Sequence, residues 1–446
     1  MKSQIYFFFI FSFLFAGWEP EIKISDSPSN YVHIYRGNVL AIDKNNGIFI
    51  VWEKESLPYH FIYFSRSLDN GQTFEVQRKI LPLSQISTPN IGADSNGVLY
   101  FGCSYYESGN TYSYLYKSID KGETWIFVSN IGYGSFHYLI VDKDGTLHCL
   151  YSGTDLGALL AYAKSTNGGL TWNKIPLITP SQLTSFSVTG FVKDNFNRLH
   201  ILMLRDTTGT LSGDVYYKRG LNNGNTWGQL IKLNKITQRA TCPKIAVDSS
   251  NNVYVAWGLW SAVAPPNYKG KYFIAKSTTG GDSFPSEVMA NGLIDSLRSS
   301  FHHHISFDGE KIILFNVWKS DTQLRLYFAK SIDGINWGED TFLTEIYPYP
   351  KGPATPFALT LSDFYHVLFI NTPIGRGFFD DDVYYKRWIK DVKIKEKNTS
   401  LFLNLNQKEN LFYSIDGRKM IFKKDLKKGI YFLKFKNKKF YKFLKF

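Results

Sequence analysis

Apolar residues fall in short runs bounded by turn residues, and this pattern continues from about residue 40 to residue 390. Gly47-Ile-Phe-Ile-Val-Trp52, Asn252-Val-Tyr-Val-Ala-Trp257 and Tyr272-Phe-Ile-Ala-Lys276 are examples. Runs of this length predict strands, and their spacing predicts antiparallel hairpins. An apolar strand ends in aspartate at Asp43, Asp94, Asp142, Asp194, Asp248, Asp308 and Asp363. A short turn and a second apolar strand follow each one. A third strand then leads into a repeated turn sequence.

That turn occurs six times. The copies are Ser67-Leu-Asp69-Asn-Gly71-Gln-Thr73-Phe74, Ser118-Ile-Asp120-Lys-Gly122-Glu-Thr124-Trp125 and Ser165-Thr-Asn167-Gly-Gly169-Leu-Thr171-Trp172, then Gly220-Leu-Asn222-Asn-Gly224-Asn-Thr226-Trp227, Ser277-Thr-Thr279-Gly-Gly281-Asp-Ser283-Phe284 and the shortened Ser331-Ile-Asp333-Gly-Ile-Asn336-Trp337. Their first positions are separated by 51, 47, 55, 57 and 54 residues. The Asp or Asn accepts hydrogen bonds from nearby backbone, as in an Asx-turn. Glycine takes the positive φ, and Ser or Thr ties the turn with a hydroxyl. Trp or Phe opens the next strand and buries its ring between sheets.

A regular repeat of this period predicts an all-β array of four-stranded units. There are seven aspartate marks but six turns. The seventh unit ends in Asp382-Val-Tyr-Tyr-Lys-Arg387, a copy of Asp214-Val-Tyr-Tyr-Lys-Arg219, and Trp388 stands 57 residues after Ser331. The seventh unit therefore keeps three strands, and Glu21 to Ser25 is the expected source of its fourth. That exchange removes the open edges of the array. Seven units are favoured, with six as the alternative.

Composition changes the picture in one place. The net charge of +13 is not spread evenly, because residues 390–446 carry +12 and the rest +1. A nucleic-acid reader carries its basic footprint on the folded recognition surface, so nucleic acid is not an expected partner. Three cysteines, Cys103, Cys149 and Cys242, have no metal or disulfide spacing and read as small core residues. Residues 1–17 read as a signal peptide: Lys2, an apolar run from Ile5 to Phe15, then Ala16 and Gly17. No other segment is long and apolar enough to act as a transmembrane anchor.

The repeated turn resembles the Asp-box, or BNR, repeat of sialidase-like β-propellers. The resemblance spans about residues 21–390 and implies a seven-bladed (alternatively six-bladed) β-propeller over 18–390. In that family the turn is structural and lies opposite the active site. Sialidases clamp a substrate carboxylate with three arginines and attack with a tyrosine activated by a glutamate. Arg36, Arg239 and Arg298 stand near the arginine places, and Tyr347 with Glu345 is the candidate nucleophile pair. The family's glutamate lies in the middle blades, yet there is none here between Glu123 and Glu287. The expected function is therefore binding of an extracellular glycan or glycoprotein, with glycoside hydrolysis and a structural surface role as alternatives. Two long loops suit ligand contact. One carries Trp260 and Tyr268, the other Arg376. Asp380 to Asp382 reads as a solvated charged turn. His302-His303-His304 reads as a core or channel strand. No cofactor and no metal is expected.

Residues 391–446 read as a small sandwich-like β module of three or four short strands. Tyr413 to Arg418 and Lys428 to Tyr431 resemble the C-terminal sorting domain of bacterial type IX secretion. The resemblance implies export machinery as a partner and a secreted or cell-surface destination.

Overall fold

The computed structural model describes residues 17–389 except 27–30, 35–36, 57, 184, 207–211, 237–238, 260–270, 294–297, 320–323, 347–356, 362–363 and 372–381. Beyond 389 it describes strands at 403–404, 411–413, 419–421, 429–434 and 440–445. The chain divides into two compact units. The larger holds residues 21–360 and 366–386, and the smaller holds 1–20, 361–365 and 387–446. No helix is long and apolar enough to cross a membrane.

Among the described residues, antiparallel pairings form successive strand sets. The first set runs Leu40–Ile42 with Tyr31–His33, Ile48–Ser56, Tyr59–Ser67 and Arg78–Lys79. The second is Ile86–Ala93, Leu99–Glu107, Asn110–Ser118 and Ile126–Tyr133, and the third is Phe136–Val141, Leu147–Tyr151, Leu160–Ser165 and Asn173–Ile178. The fourth is Ser187–Lys193, Leu199–Arg205 and Ser212–Leu221, edged by Thr226–Trp227 and Ile231–Lys232. The fifth is Ala240–Val247, Val253–Leu259, Tyr272–Ser277 and Val288–Met289, and the sixth is Arg298–Phe307, Ile312–Lys319, Leu324–Ser331 and Thr341–Ile346. A last set contains Phe357–Leu361, Phe364–Asn371 and Asp382–Ile389. Its outer pairing partner comes from the start of the chain, as expected: Ile22 lies opposite Tyr385 and Lys23 opposite Tyr384.

That junction corrects one expectation. Asp382 is no solvated turn residue. It is fully buried, accepts a hydrogen bond from Ser25 Oγ at 2.9 Å and pairs with Lys23 Nζ at 2.9 Å. Asp380 and Asp381 lie outside the described residues. A buried carboxylate needs such partners, because desolvation otherwise disfavours its charge.

The repeated turns carry the bonds their sequence predicts. Ser67 Oγ donates to Asp69 Oδ1 at 2.7 Å and accepts from Gly71 N at 2.8 Å, while Thr73 N and Oγ1 donate to the same carboxylate. Ser118, Ser165, Ser277 and Ser331 accept in the same way from Gly122, Gly169, Gly281 and Gly334. Burial works against charge on Asp69, but hydrogen bonds from Thr73 and Ser67 outweigh it and hold its carboxyl at about 2.

The turn glycines have a second reason to be glycine. A methyl on Gly122 would meet the Phe64 ring at 2.4 Å, on Gly169 Leu115 at 2.1 Å, on Gly224 Tyr162 at 2.1 Å and on Gly281 Tyr217 at 1.8 Å. Each obstacle lies on the third strand of the preceding set. On Gly71 it would meet Tyr385 Oη at 2.1 Å, so the last set precedes the first in the same order. Trp125 wedges edge-on between Phe64 and Phe101. Burying each such phenylalanine contributes about 1.5–3 kcal/mol.

The aspartate marks end their strands by accepting backbone bonds, as Asp94 does from Asn96 N and Val98 N at 2.8 and 2.9 Å. Two of them also anchor buried relays. Asp194 Oδ2 lies 3.2 Å from His200 Nε2, and His200 Nδ1 lies 2.6 Å from the Tyr217 hydroxyl. Asp142, His148 and Tyr162 repeat this at 3.0 and 2.7 Å. Burial lowers both histidine pKa values, and the neighbouring aspartates only partly oppose it.

In the smaller unit, Gly17–Trp18 pairs with Trp388–Ile389, and Glu19 holds Arg387 in a two-pronged ion pair at 2.8 Å. Leu403–Asn404, Leu411–Tyr413 and Lys419–Ile421 form one sheet, and Gly429–Lys434 pairs with Phe440–Lys445.

Candidate functional site

Each of the first six sets has two ends. One carries the repeated turn and the aspartate mark. The other, the hairpin end, is the end at which the second strand leads to the third. Near the hairpin end, the first strands of the second to sixth sets each slip in register. The slips lie between Ser87 and Asn90, Phe136 and Tyr138, Val188 and Gly190, Thr241 and Lys244, and Arg298 and His303. Bulges re-aim side chains and concentrate beside functional sites. Two bulges hold non-glycine residues in the left-handed region, Thr88 at φ 53° and Cys242 at φ 45°. Arg239 beside the latter has φ 57°. A β-branched threonine in that region is strained, and such strain persists where surrounding contacts over-determine it.

The contacts that hold Thr88 form a polar line across three sets. Glu53, on the second strand of the first set, is nearly buried. Its Oε1 lies 2.9 Å from His60 Nδ1, and its Oε2 accepts from Thr88 N at 3.1 Å. Thr88 Oγ1 lies 2.6 Å from Ser104 Oγ, which accepts from Phe136 N at 2.8 Å. Asn90 donates to the His137 carbonyl, and His137 Nε2 lies 3.0 Å from Ser152 Oγ. A carboxylate beside Nδ1 orients the His60 ring and favours a proton on that nitrogen. The His60 side chain is 30% exposed, so this pair borders solvent.

Strand alternation places aromatic residues on the facing side of the next set. Val51, Glu53 and Glu55 share a face with His60, Ile62 and Phe64. Phe64 meets Trp125 and Phe101 of the second set. The Phe101 face continues toward the hairpin end through Cys103, Tyr105 and Glu107, opposite Tyr114, Tyr112 and Asn110. Here the rings form a ladder. Tyr105 to Tyr114 is 5.2 Å, Tyr114 to Tyr112 is 5.7 Å and Tyr112 to Tyr133 is 5.2 Å, with Phe127 5.2 Å from Tyr114. Tyr105, Tyr112 and Tyr114 are half-buried, and Tyr133 and Phe127 are 48% and 50% exposed. Burial raises the Tyr114 pKa, followed by the charge of Glu107.

The residues expected from sequence lie elsewhere. Arg36, Tyr347, Trp260, Tyr268 and Arg376 lie outside the described residues. Arg239 immediately precedes the strand Ala240–Val247, Arg298 opens Arg298–Phe307, and Glu345 lies opposite Arg325 in register. His303 is buried within its strand, 3.3 Å from the Ala256 carbonyl, as a core histidine. Cys103 and Cys149 are buried as expected, but Cys242 is partly exposed at its bulge. Sequence reasoning missed Glu53, His60, Thr88 and the tyrosine ladder. The alternation in Tyr105-Tyr-Glu107 and Tyr112-Ser-Tyr114 was the available signal.

No described protein family matches the sequence, and no curated relative does. Similar solved structures include a polysaccharide lyase of the PL25 family, an ulvan lyase, with a TM-score of 0.58 and 11% identity over 82% of this chain and 95% of that one. YCF48 bound to D1 peptide gives 0.51 and 13% over 85% and 97%. A Penicillium chrysogenum α-L-arabinanase complexed with arabinobiose gives 0.45 and 15% over 83% and 98%. The strand sets and the first two of these likenesses establish the fold: the chain is an all-β protein containing a β-propeller.

Proposed function

We propose that this propeller binds an extracellular glycan at the hairpin end, where its first and second strand sets meet. The observation that carries this reading is the tyrosine ladder beside Glu53 and His60. Exposed rings stack on the apolar faces of sugars, and hydroxyl-rich ligands need the acceptors and donors that the polar line supplies. The fold alone does not choose, since one similar structure is a polysaccharide lyase and another holds a peptide.

The test is binding of the full chain to a glycan array, with Tyr112→Ala and Tyr114→Ala as variants. The expected result is wild-type binding that both variants weaken while their melting temperatures stay near wild type. A wild-type chain that binds no glycan overturns the reading. The Glu53–His60 pair favours a second, catalytic reading, in which His60 Nε2 moves a proton on the bound glycan. Release of reducing ends, abolished in Glu53→Gln, supports it.

The wider reading is an Asp-box ring of seven blades. Residues 1–17 serve as leader, 18–390 as propeller and 391–446 as a sorting module for export to the surface. The repeated turns support the first part. Detection of the mature chain in medium or at the surface, lost on removing 391–446, tests the second.

A further inference from the structure

The bulges at the hairpin end are tied down in different ways. In the second set two hydroxyls do it, with Thr88 Oγ1 2.6 Å from Ser104 Oγ. In the fourth set Thr189 Oγ1 donates to the Leu202 carbonyl at 3.4 Å. In the third set the bulge residue is His137, between Phe136 and Tyr138, and its Nε2 lies 3.0 Å from Ser152 Oγ. A hydroxyl is enough to hold such a bulge. An imidazole in its place adds a group that can take a proton.

The backbone on both sides of this contact is fixed. Ser152 N donates to the Ser135 carbonyl at 2.8 Å, and the Ser152 carbonyl accepts from Thr154 N at 3.0 Å. A methyl on Gly134 would lie 1.8 Å from that carbonyl oxygen, and one on Gly153 would lie 2.4 Å from Ala161 Cβ. The His137 carbonyl accepts from Asn90 Nδ2 at 3.2 Å. Phe136 and Tyr151 face each other in register and are fully buried, whereas His137 and Ser152 are only partly buried. The pair thus borders solvent on a packed base, within the reach that a nucleophile and its general base require.

We infer that Ser152 and His137 act as a serine nucleophile and general base that hydrolyse carboxylic esters. Ser152 Oγ attacks the ester carbonyl carbon as His137 Nε2 takes the hydroxyl proton. The bond from that carbon to the alcohol oxygen breaks, and the proton leaves with the alcohol. Water, giving a proton to the same nitrogen, then cleaves the serine ester, releases the carboxylic acid and restores Ser152. None of this uses the tyrosine ladder, so it stands or falls apart from the glycan reading.

Two probes test it on the full chain: a fluorophosphonate, whose adduct is mapped by mass spectrometry, and p-nitrophenyl acetate, whose hydrolysis is followed as a rate. The adduct is expected on Ser152, and Ser152→Ala is expected to lose both adduct and hydrolysis. His137→Gln keeps a hydrogen-bond partner for Ser152 but takes no proton. It is expected to melt near the wild-type temperature and to react about a hundredfold more slowly. Added imidazole is expected to restore part of the rate in His137→Ala. A wild-type chain that gives no Ser152 adduct overturns the inference. So does hydrolysis unchanged in Ser152→Ala, or a His137→Gln variant that reacts at the wild-type rate.

Discussion

The two ends of the strand sets are built on opposite rules. At the turn end the same atoms recur: a serine hydroxyl under a glycine N–H, at 2.7 Å in Ser118 and Gly122 and 2.9 Å in Ser277 and Gly281. Among the described residues, what recurs at the hairpin end is the bulge of the second to sixth sets. Glu53–His60 marks the first set, Thr88–Ser104 the second and His137–Ser152 the third. Repetition at one end makes each set interchangeable as a packing unit. Variation at the other gives each junction its own chemistry. A propeller thus separates the residues that hold it together from those free to specialise.

Substitutions at matched glycines break this comparison most sharply. In Gly224→Ala the new methyl would lie 2.1 Å from Tyr162 Oη, at φ 81°. A loss of about 3 kcal/mol is expected in urea unfolding, from backbone strain and overpacking together. Gly109→Ala at the hairpin end has the same φ of 81° and nothing within 4 Å. It is expected to lose only about 1 kcal/mol. Equal losses would show that close packing at the turn end is unimportant.

Acid should attack the turn end first. His148 and His200 have pKa values lowered by burial from the usual 6.5, so the unfolded chain binds more protons than the folded one below that pH. Stability is therefore complete above about pH 6.5 and falls as the pH drops toward the lowered folded values. Asp194, held at about 2 against burial by bonds from His200 and Arg198, adds a loss between its usual 3.8 and 2. Thermal melts from pH 7.5 to 4.5 are expected to show a fall that flattens in His148→Gln/His200→Gln. A wild-type melting temperature unchanged over that range contradicts the relay.

Ser118→Ala leaves the buried Gly122 N–H without its acceptor and should cost about 1–2 kcal/mol in the same unfolding assay. At the hairpin end the sign reverses. Thr88→Asn places a residue tolerant of the left-handed region at φ 53°. It is expected to raise stability by up to about 1 kcal/mol while weakening glycan retention. A destabilised Thr88→Asn variant would remove strain from the account of the site.

The same division explains what was legible in sequence. Turn-end structure comes from local hydrogen bonds within a few residues, such as Asp69 to Thr73, and local bonds leave motifs. The exchange of Ile22–Lys23 into the last set was legible because a missing strand needs a replacement. The relays left a fainter trace, Leu147-His148 and Leu199-His200 at equal places with Tyr162 and Tyr217 following. The junction of the first two sets at the hairpin end left almost none. Glu53, His60 and Thr88 meet across different strands and sets, and their meeting depends on a bulge that no residue pattern announces. The arginine places came from the resemblance, whereas the ladder is defined by ring distances.

The pairing of Ile22–Lys23 with Tyr384–Tyr385 also sets a timetable. Ser25 and Asp382, bonded at 2.9 Å, are separated by 357 residues. Loop-closure entropy grows only slowly with length, so joining such distant partners adds little to the thermodynamic burden. Its effect is on rate, because non-local pairings are the slow ones to form. A ribosome must release the last strand before the first residues of the propeller have a partner. Until then the propeller carries an unmatched edge at each of its two ends.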